Sequence, residues 1–307
     1  MVDTINEGNS LTAGASAYRR GLLLVLMAGV CWSTMGLGIR LMEAANVWQI
    51  LFYRSCALVP FLFLIIGVRS RGRPMHVIRR AGVAGAAGGL SLVLAFTGGI
   101  FAIQATTVAN AMFLFASAPF FAALFGHLLL GERVRNATWV SMAAASLGMA
   151  IMVAEGVSLG HAAGNAAAIL SALGFAAFTI ALRWRKLEDM LPAVLFSGVF
   201  AVAIAGAVCW ISGYPLAIPT RDIYIALAMG VLQLGAGLFL YTIGSKSVPA
   251  VELALMSMTE VVLGPLWVWI FLGETADALT LFGGAILLAA IAGNALSGLQ
   301  RKPTPVM

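Results

Sequence analysis

Charge is scarce in this chain. Asp, Glu, Lys and Arg together make up 10% of its 307 residues, whereas 61% are hydrophobic. A soluble domain usually carries about 25% charged residues. With a mean hydropathy of +0.99, a water-soluble fold could not hide its apolar surface, and the bilayer becomes the expected solvent. Cysteine is also scarce. Cys31, Cys56 and Cys209 lie inside apolar runs at spacings that fit no metal site, which excludes a disulfide framework and leaves three small buried hydrophobes. The three histidines, His76, His127 and His161, are scattered. There is no Gly-Lys-Ser/Thr loop and no His-Glu-x-x-His, so a nucleotide-driven pump and a zinc hydrolase are excluded. No catalytic constellation is visible, and neither an enzyme nor a cofactor nor a metal is expected.

What the chain does have is long apolar runs. A spanning helix needs roughly 20 such residues. Ten runs qualify, at about 21–41, 48–68, 81–101, 105–130, 136–154, 163–182, 191–211, 223–243, 248–272 and 278–297. They are continuous and do not alternate, which favours helices over a barrel. The expected fold is therefore an all-α membrane protein of ten transmembrane helices, with no separate soluble domain. Residues 1–18 carry Asp3 and Glu7 without an early basic cluster, and read as a tail rather than a signal peptide. Residues 299–307 read as a second tail.

The net charge of +6 would suggest nucleic acid in a soluble protein. Here the basic residues orient the chain instead, and no nucleic-acid partner is expected. With the N-terminus placed in the cytoplasm, the inner segments hold Arg19, Arg20, Arg69, Arg71, Arg73, Arg79, Arg80, Arg133, Arg135, Arg183, Arg185, Lys186, Lys246, Arg301 and Lys302. The outer loops hold only Arg221, while Arg40 and Arg54 lie in or at the ends of spans. This asymmetry predicts both termini inside. A missed or extra span would destroy the alternation downstream of the error.

The layout also repeats. Residues 101–133 end in Leu130-Gly131-Glu132, and the same plan returns 142 residues later, ending in Leu272-Gly273-Glu274. At this offset Asn110 meets Glu252, Ser117 meets Thr259, Gly88 meets Gly230 and Ser91 meets Gln233. Residues 32–40 resemble 175–183 at an offset of 143. Five spans per half is an odd number, so the second half must be inverted. The expected units are 19–155 and 161–298. Inverted repeats often build transporters, with the substrate near the midplane, although channels and membrane enzymes can also carry repeats. Gly- and Ala-rich stretches such as 82–90 are read first as close helix contacts.

Ten spans in two such halves resemble the drug/metabolite transporter superfamily in its EamA-type branch. The stretches that carry the resemblance are AGVCWSTMGLGIRL at 28–41, Phe52-Tyr53-Arg54, AIQATTVANAMFLFASAPFFAALFGHLLLGER at 102–133 and MTEVVLGPLWVWIFLGE at 258–274. Family members often place proline directly after the acidic residue of span nine. Here Val261 follows Glu260 and the proline is Pro265. The resemblance implies a central cavity lined by spans one, three, four, six, eight and nine. It also implies a multi-pass protein of the bacterial inner membrane that exports amino acids or other small metabolites, as the YddG-type amino-acid exporters do.

Three charges fall inside spans: Arg54, Glu252 and Glu260. A charge at a helix centre costs about 2.5–3.5 kcal/mol on the insertion scale, so each needs a partner or water. Glu252 is near enough to a helix end to snorkel. Glu260 is deepest. It must carry a proton, pair with a cation such as Arg54, or meet a water-filled path. Helical spacing puts Glu252, Met256, Thr259 and Leu263 on one side of span nine, with Glu260 at its margin. Asn110, Phe113, Ser117 and Phe121 share a side of span four. With Trp32, Ser33, Ser91, Phe178, Gln233 and Tyr241 they make a mostly apolar path with a few polar points, suited to a zwitterion or amphiphile. The same stripe also serves as helix packing. The expectation is a secondary transporter exporting amino acids or related metabolites by alternating access, a monomer sufficing. Its rival is a drug or nucleoside-type carrier of the same superfamily. Glu132 and Glu274, at helix ends, are expected to cap or pair with nearby groups.

Overall fold

Backbone in a bilayer must satisfy its own hydrogen bonds, and continuous apolar runs do so as helices. The computed structural model describes residues 2–187 and 189–298, and the described residues form helices without strands. Among the described residues, ten helical spans are long and apolar enough to cross a membrane. In chain order they are span one, Tyr18–Arg40; two, Val47–Arg69; three, Pro74–Ala105; four, Val108–Leu130; and five, Asn136–Ser158. Six is Ala162–Trp184, seven Leu191–Ile211, eight Thr220–Gly244, nine Ala250–Leu272 and ten Ala278–Ser297. The number and order match the expectation from the sequence. The helix of span one reaches back to Val2, because nothing such as proline stops it within the segment expected as a tail. The tail expected at 299–307 lies outside the described residues.

Several spans depart from regular helix for local reasons. Span one breaks at Thr34, between Ser33 and Met35. There the Ser33 hydroxyl donates to the Val30 carbonyl at 2.7 Å and Thr34 to Cys31 at 2.7 Å, competing with the backbone ladder. Span four breaks between Phe115 and Ala118. Pro119 supplies no N–H there, and the Ser117 hydroxyl takes the Leu114 carbonyl at 2.6 Å. Span three kinks at Gly82, whose φ of 49° and ψ of −143° suit only glycine. Span eight widens into a π-helix over Met229–Ala236.

The most extensive helix contacts pair off when the two halves are exchanged, although spans two and three, and spans nine and ten, meet without a counterpart of similar extent. Span three packs on six and seven, and span eight packs correspondingly on one and two. Span four packs on six as span nine packs on one. Spans two and seven, four and nine, and five and ten meet their own counterparts. The last pair shows the exchange in single residues. Near the start of span five, buried Thr138 donates to Asn294 Oδ1 at 2.8 Å. Near the start of span ten, buried Thr280, which lies 142 residues later, donates to Glu155 Oε2 at 2.9 Å. Between them the two helices approach through Gly148 and Gly283, where an added Cβ on either would strike the other's carbonyl.

Candidate functional site

The repeated Leu-Gly-Glu ends a helix and aims a carboxylate. Gly131 and Gly273 both take the left-handed conformation, at φ 68°, which stops spans four and nine. The next N–H turns back on each helix, Glu132 to Gly126 at 3.1 Å and Glu274 to Val268 at 3.3 Å. Each glutamate then meets an arginine from the other half. Arg40, at the end of span one, donates through Nε and Nη2 to the two oxygens of Glu274, at 2.8 and 3.3 Å. Arg183, at the end of span six and matched to Arg40 at the offset of 143, donates through Nη1 to Glu132 at 2.9 Å.

The two pairs are not equally held. The side chains of Arg40 and Glu274 are 26% and 21% exposed, those of Arg183 and Glu132 50% and 41%. Glu274 also accepts from the Val108 N–H at 2.7 Å, and Arg40 also donates to the Thr106 carbonyl at 2.7 Å. One knot thus ties spans one and nine to the turn between three and four.

Around that knot the arginine-poor face of the bundle is closed by further bonds. Asp222, fully buried, accepts the N–H groups of Glu43, Ala44 and Ala45 at 3.1, 2.9 and 3.0 Å. Arg221 pairs with Glu43. Gln49 donates to the Pro215 carbonyl at 2.6 Å and Gln104 to the Ala45 carbonyl at 2.9 Å. The sequence reading missed Asp222. Its place in the first turn of span eight is the usual place for an acidic residue, and only the fold brings the loop of residues 41–46 onto it.

At the arginine-rich face the bonds are fewer among the described residues. Tyr18 donates to Glu252 at 2.6 Å, and Arg135 and Thr138 reach Asn294. Nearby, residues 252, 253 and 255–260 of span nine are all half-buried.

The expected path residues separate into two groups. Helix packing takes up the first. Ser33 is fully buried and accepts from Trp267 Nε1 at 2.9 Å, joining spans one and nine. Asn110 is buried and donates to Asn165 on span six and to Thr106 at 3.0 Å. Phe113 fills the notch at Gly284 of span ten, Ser117 bonds within its own break, and Phe178 lies against Gly88 and Phe175. The second group lies on spans one, eight and nine, except for Ser91, which is on span three. Trp32 meets Tyr241 with the ring centroids 5.4 Å apart and the rings tilted by 43°. Thr259 and the Met256 carbonyl lie against Gly29 of span one. Glu260 is half-buried and makes no ion pair among the described residues. Ser91 is half-buried and bonded to the Ala87 carbonyl at 2.9 Å, and Gln233 is buried in the π-helical stretch.

Arg54, considered above as a partner for Glu260, makes no ion pair among the described residues either. It is 1% exposed, with Phe96 of span three over its guanidinium at 4.5 Å. An unpaired ion out of water costs on the order of several kcal/mol. Two cavities lie elsewhere. One of about 540 Å³ sits at the arginine-rich face between residues 133–137 and Ser297. The other, about 530 Å³, is a groove of spans four, nine and ten that contains Phe113, Pro265, Trp269 and Glu274. Glu260 and Gln233 line neither.

A ten-span fold with matched ion pairs at opposite faces invites comparison with known transporters. The model of the EamA-like transporter family matches the chain twice, over residues 19–154 and 162–296. The chain belongs to that family. It is a multi-pass membrane transporter and not an enzyme. Its curated relatives include the pseudopaline exporter CntI of Pseudomonas aeruginosa strain UCBPP-PA14, 27% identical over 279 residues that cover 89% of this chain and 94% of the relative. The CntI of strain PAO1 is 26% identical with the same coverage. A solved crystal structure shares the fold with a TM-score of 0.63 and 21% identity, covering 92% of this chain and 100% of that one.

Proposed function

We propose that this transporter exports amino acids or related small metabolites across the bacterial inner membrane by alternating access. The moving parts are two inverted five-helix units, 19–155 and 161–298, and a single chain suffices. One observation carries the reading. The same Arg–Glu pair is built at both faces from matched residues of opposite halves, and one copy is tighter than the other. A bundle that rocks about a central site would trade tightness between the two. The arginine-poor face is the outer one, since basic residues stay in the cytoplasm, and both termini are then inside. The closed outer face and the partly uncovered start of span nine support a resting state open inward.

The substrate path in this reading runs past Trp32, Ser91, Gln233, Tyr241, Met256, Thr259 and Glu260, with Glu260 binding an amino group or a proton. Glu252 guards the inner entrance, held by Tyr18. The relatives named as exporters support outward transport. Counterflow in proteoliposomes tests the reading, with a panel of labelled amino acids and with nucleosides and lipophilic cations as competitors. Saturable exchange of at least one amino acid is expected. Exchange confined to nucleosides or lipophilic cations would move the protein to the drug or nucleoside carriers, and large currents without saturation would make it a channel.

A further inference from the structure

Nearly all buried polar atoms in a folded protein find a partner. Five buried side-chain atoms here have none among the described residues, and four belong to three residues: Trp32 Nε1, Arg54 Nε and Nη2, and Gln233 Oε1. Span eight connects the three. Its Gly230 lies against the Arg54 carbonyl, its Gly237 lies against the Trp32 indole nitrogen, and Gln233 stands between them in the π-helical stretch. Such stretches are rare and occur frequently at functional sites.

The free atoms of Arg54 are specific. Nε and Nη2 form one edge of the guanidinium and present two parallel N–H groups, a fork that matches the two oxygens of a carboxylate. The protein shows what this edge takes, because Arg40 grips Glu274 with the same two atoms. At Arg54 the fork is built and desolvated while Phe96 covers a ring-sized face of the group. A structural arginine buried this deeply would be expected to hold a carboxylate or several carbonyls of its own chain.

We propose that Arg54 is the anchor for a carboxylate group of the transported solute, with Trp32 and Gln233 completing the site. The cargo class is then organic acids and carboxylate-bearing amphiphiles, amino acids included. The proposal rests on the transport reading for the identity of the cargo, but the binding does not require transport to be observed. A second source of carboxylate exists in the chain itself, the unpaired Glu260, and the experiment separates the two.

The test is thermal unfolding of the purified full chain in detergent, at constant ionic strength, with 3-phenylpropanoate or its uncharged amide. The acid raises the unfolding midpoint of the wild type and of Glu260→Gln, leaves that of Arg54→Gln unchanged, and the amide moves none of them. Without ligand, Arg54→Gln unfolds at or above the wild-type temperature, because a buried unpaired charge has been removed. Arg54→Lys, which keeps the charge but not the fork, needs about tenfold more acid for the same shift. It carries the test alone should Arg54→Gln not fold. A response retained in Arg54→Gln, lost in Glu260→Gln, equal in Arg54→Lys or absent from the wild type overturns the proposal. Failure of the transport reading would appear separately, as absent counterflow with the acid response intact.

Discussion

Arg40 holds Glu274 through two guanidinium nitrogens, at 2.8 and 3.3 Å, and the same two residues also bind Thr106 and Val108 of the turn between spans three and four. The counterpart pair, Arg183 and Glu132, has one bond at 2.9 Å and stands twice as exposed. Glu274→Gln therefore removes more than Glu132→Gln does. Charge-assisted bonds are each worth about 1.5–3 kcal/mol, and the partial exposure of this pair puts it at the lower end. In a background lacking Cys31, Cys56 and Cys209, Ala109→Cys is buried beside this knot, at 3% exposure. Its labelling by an impermeant maleimide is expected to rise on the order of tenfold with Glu274→Gln, and less with Glu132→Gln. Equal rates in the two variants would remove the gate.

Topology can be checked with the same reagent. Met75 is 56% exposed at the start of span three, among Arg71, Arg73, Arg79 and Arg80. Met75→Cys is expected to be unreactive from outside intact cells and to react after permeabilisation. Reaction in intact cells would reverse the orientation and the gate assignment with it.

Asp222 accepts three backbone N–H groups on its two oxygens. Asp222→Ala removes the acceptor of all three and strands the buried Ala45 N–H, at a cost of about 1–3 kcal/mol. Asp222→Asn keeps one accepting oxygen and turns an NH₂ toward the remaining donors. Thermal unfolding in detergent should fall for both, and further for alanine. A midpoint within a degree of the wild type for Asp222→Ala would mean that water replaces the carboxylate and that the loop of residues 41–46 is not pinned.

Much of this fold is legible in the sequence because span length and charge asymmetry are properties of single segments. Ten apolar runs interrupted by arginine clusters on every second loop leave little freedom. The repeat of Leu-Gly-Glu was visible, and so was the match between residues 32–40 and 175–183, which contains both arginine partners. That Arg40 pairs with Glu274 was not visible, because pairing depends on which helices touch. Asn110 illustrates the same limit. Periodicity put it on one side with Phe113 and Ser117, and could not say that Asn165 of span six lies there. The break at Pro119 follows from the residue itself, whereas the break at Thr34 depends on hydroxyls choosing carbonyls of their own helix. Arg54 was expected to have a partner or water, since a lone charge is costly. That its Nε and Nη2 have no hydrogen-bond partner among the described residues is a further feature that pattern reading could not supply.

Glu260 is the last residue to settle, and its surroundings make the experiment decisive. It lies about 18 Å from the Leu272 end of span nine at 1.5 Å per residue. No arginine or lysine pairs with it among the described residues. The residue as a whole is half-buried. In the transport reading proposed above, Glu260 takes a transient partner, an amino group or a proton. Glu260→Gln preserves the shape and removes the titration. Counterflow by this variant is expected to fall on the order of tenfold, and its pH profile to flatten, with insertion and thermal unfolding close to wild type. Gln at this position cannot exchange a proton, so a profile that kept the wild-type pH dependence, flux and affinity in a folded protein would leave Glu260 only a hydrogen bond to a neighbouring helix.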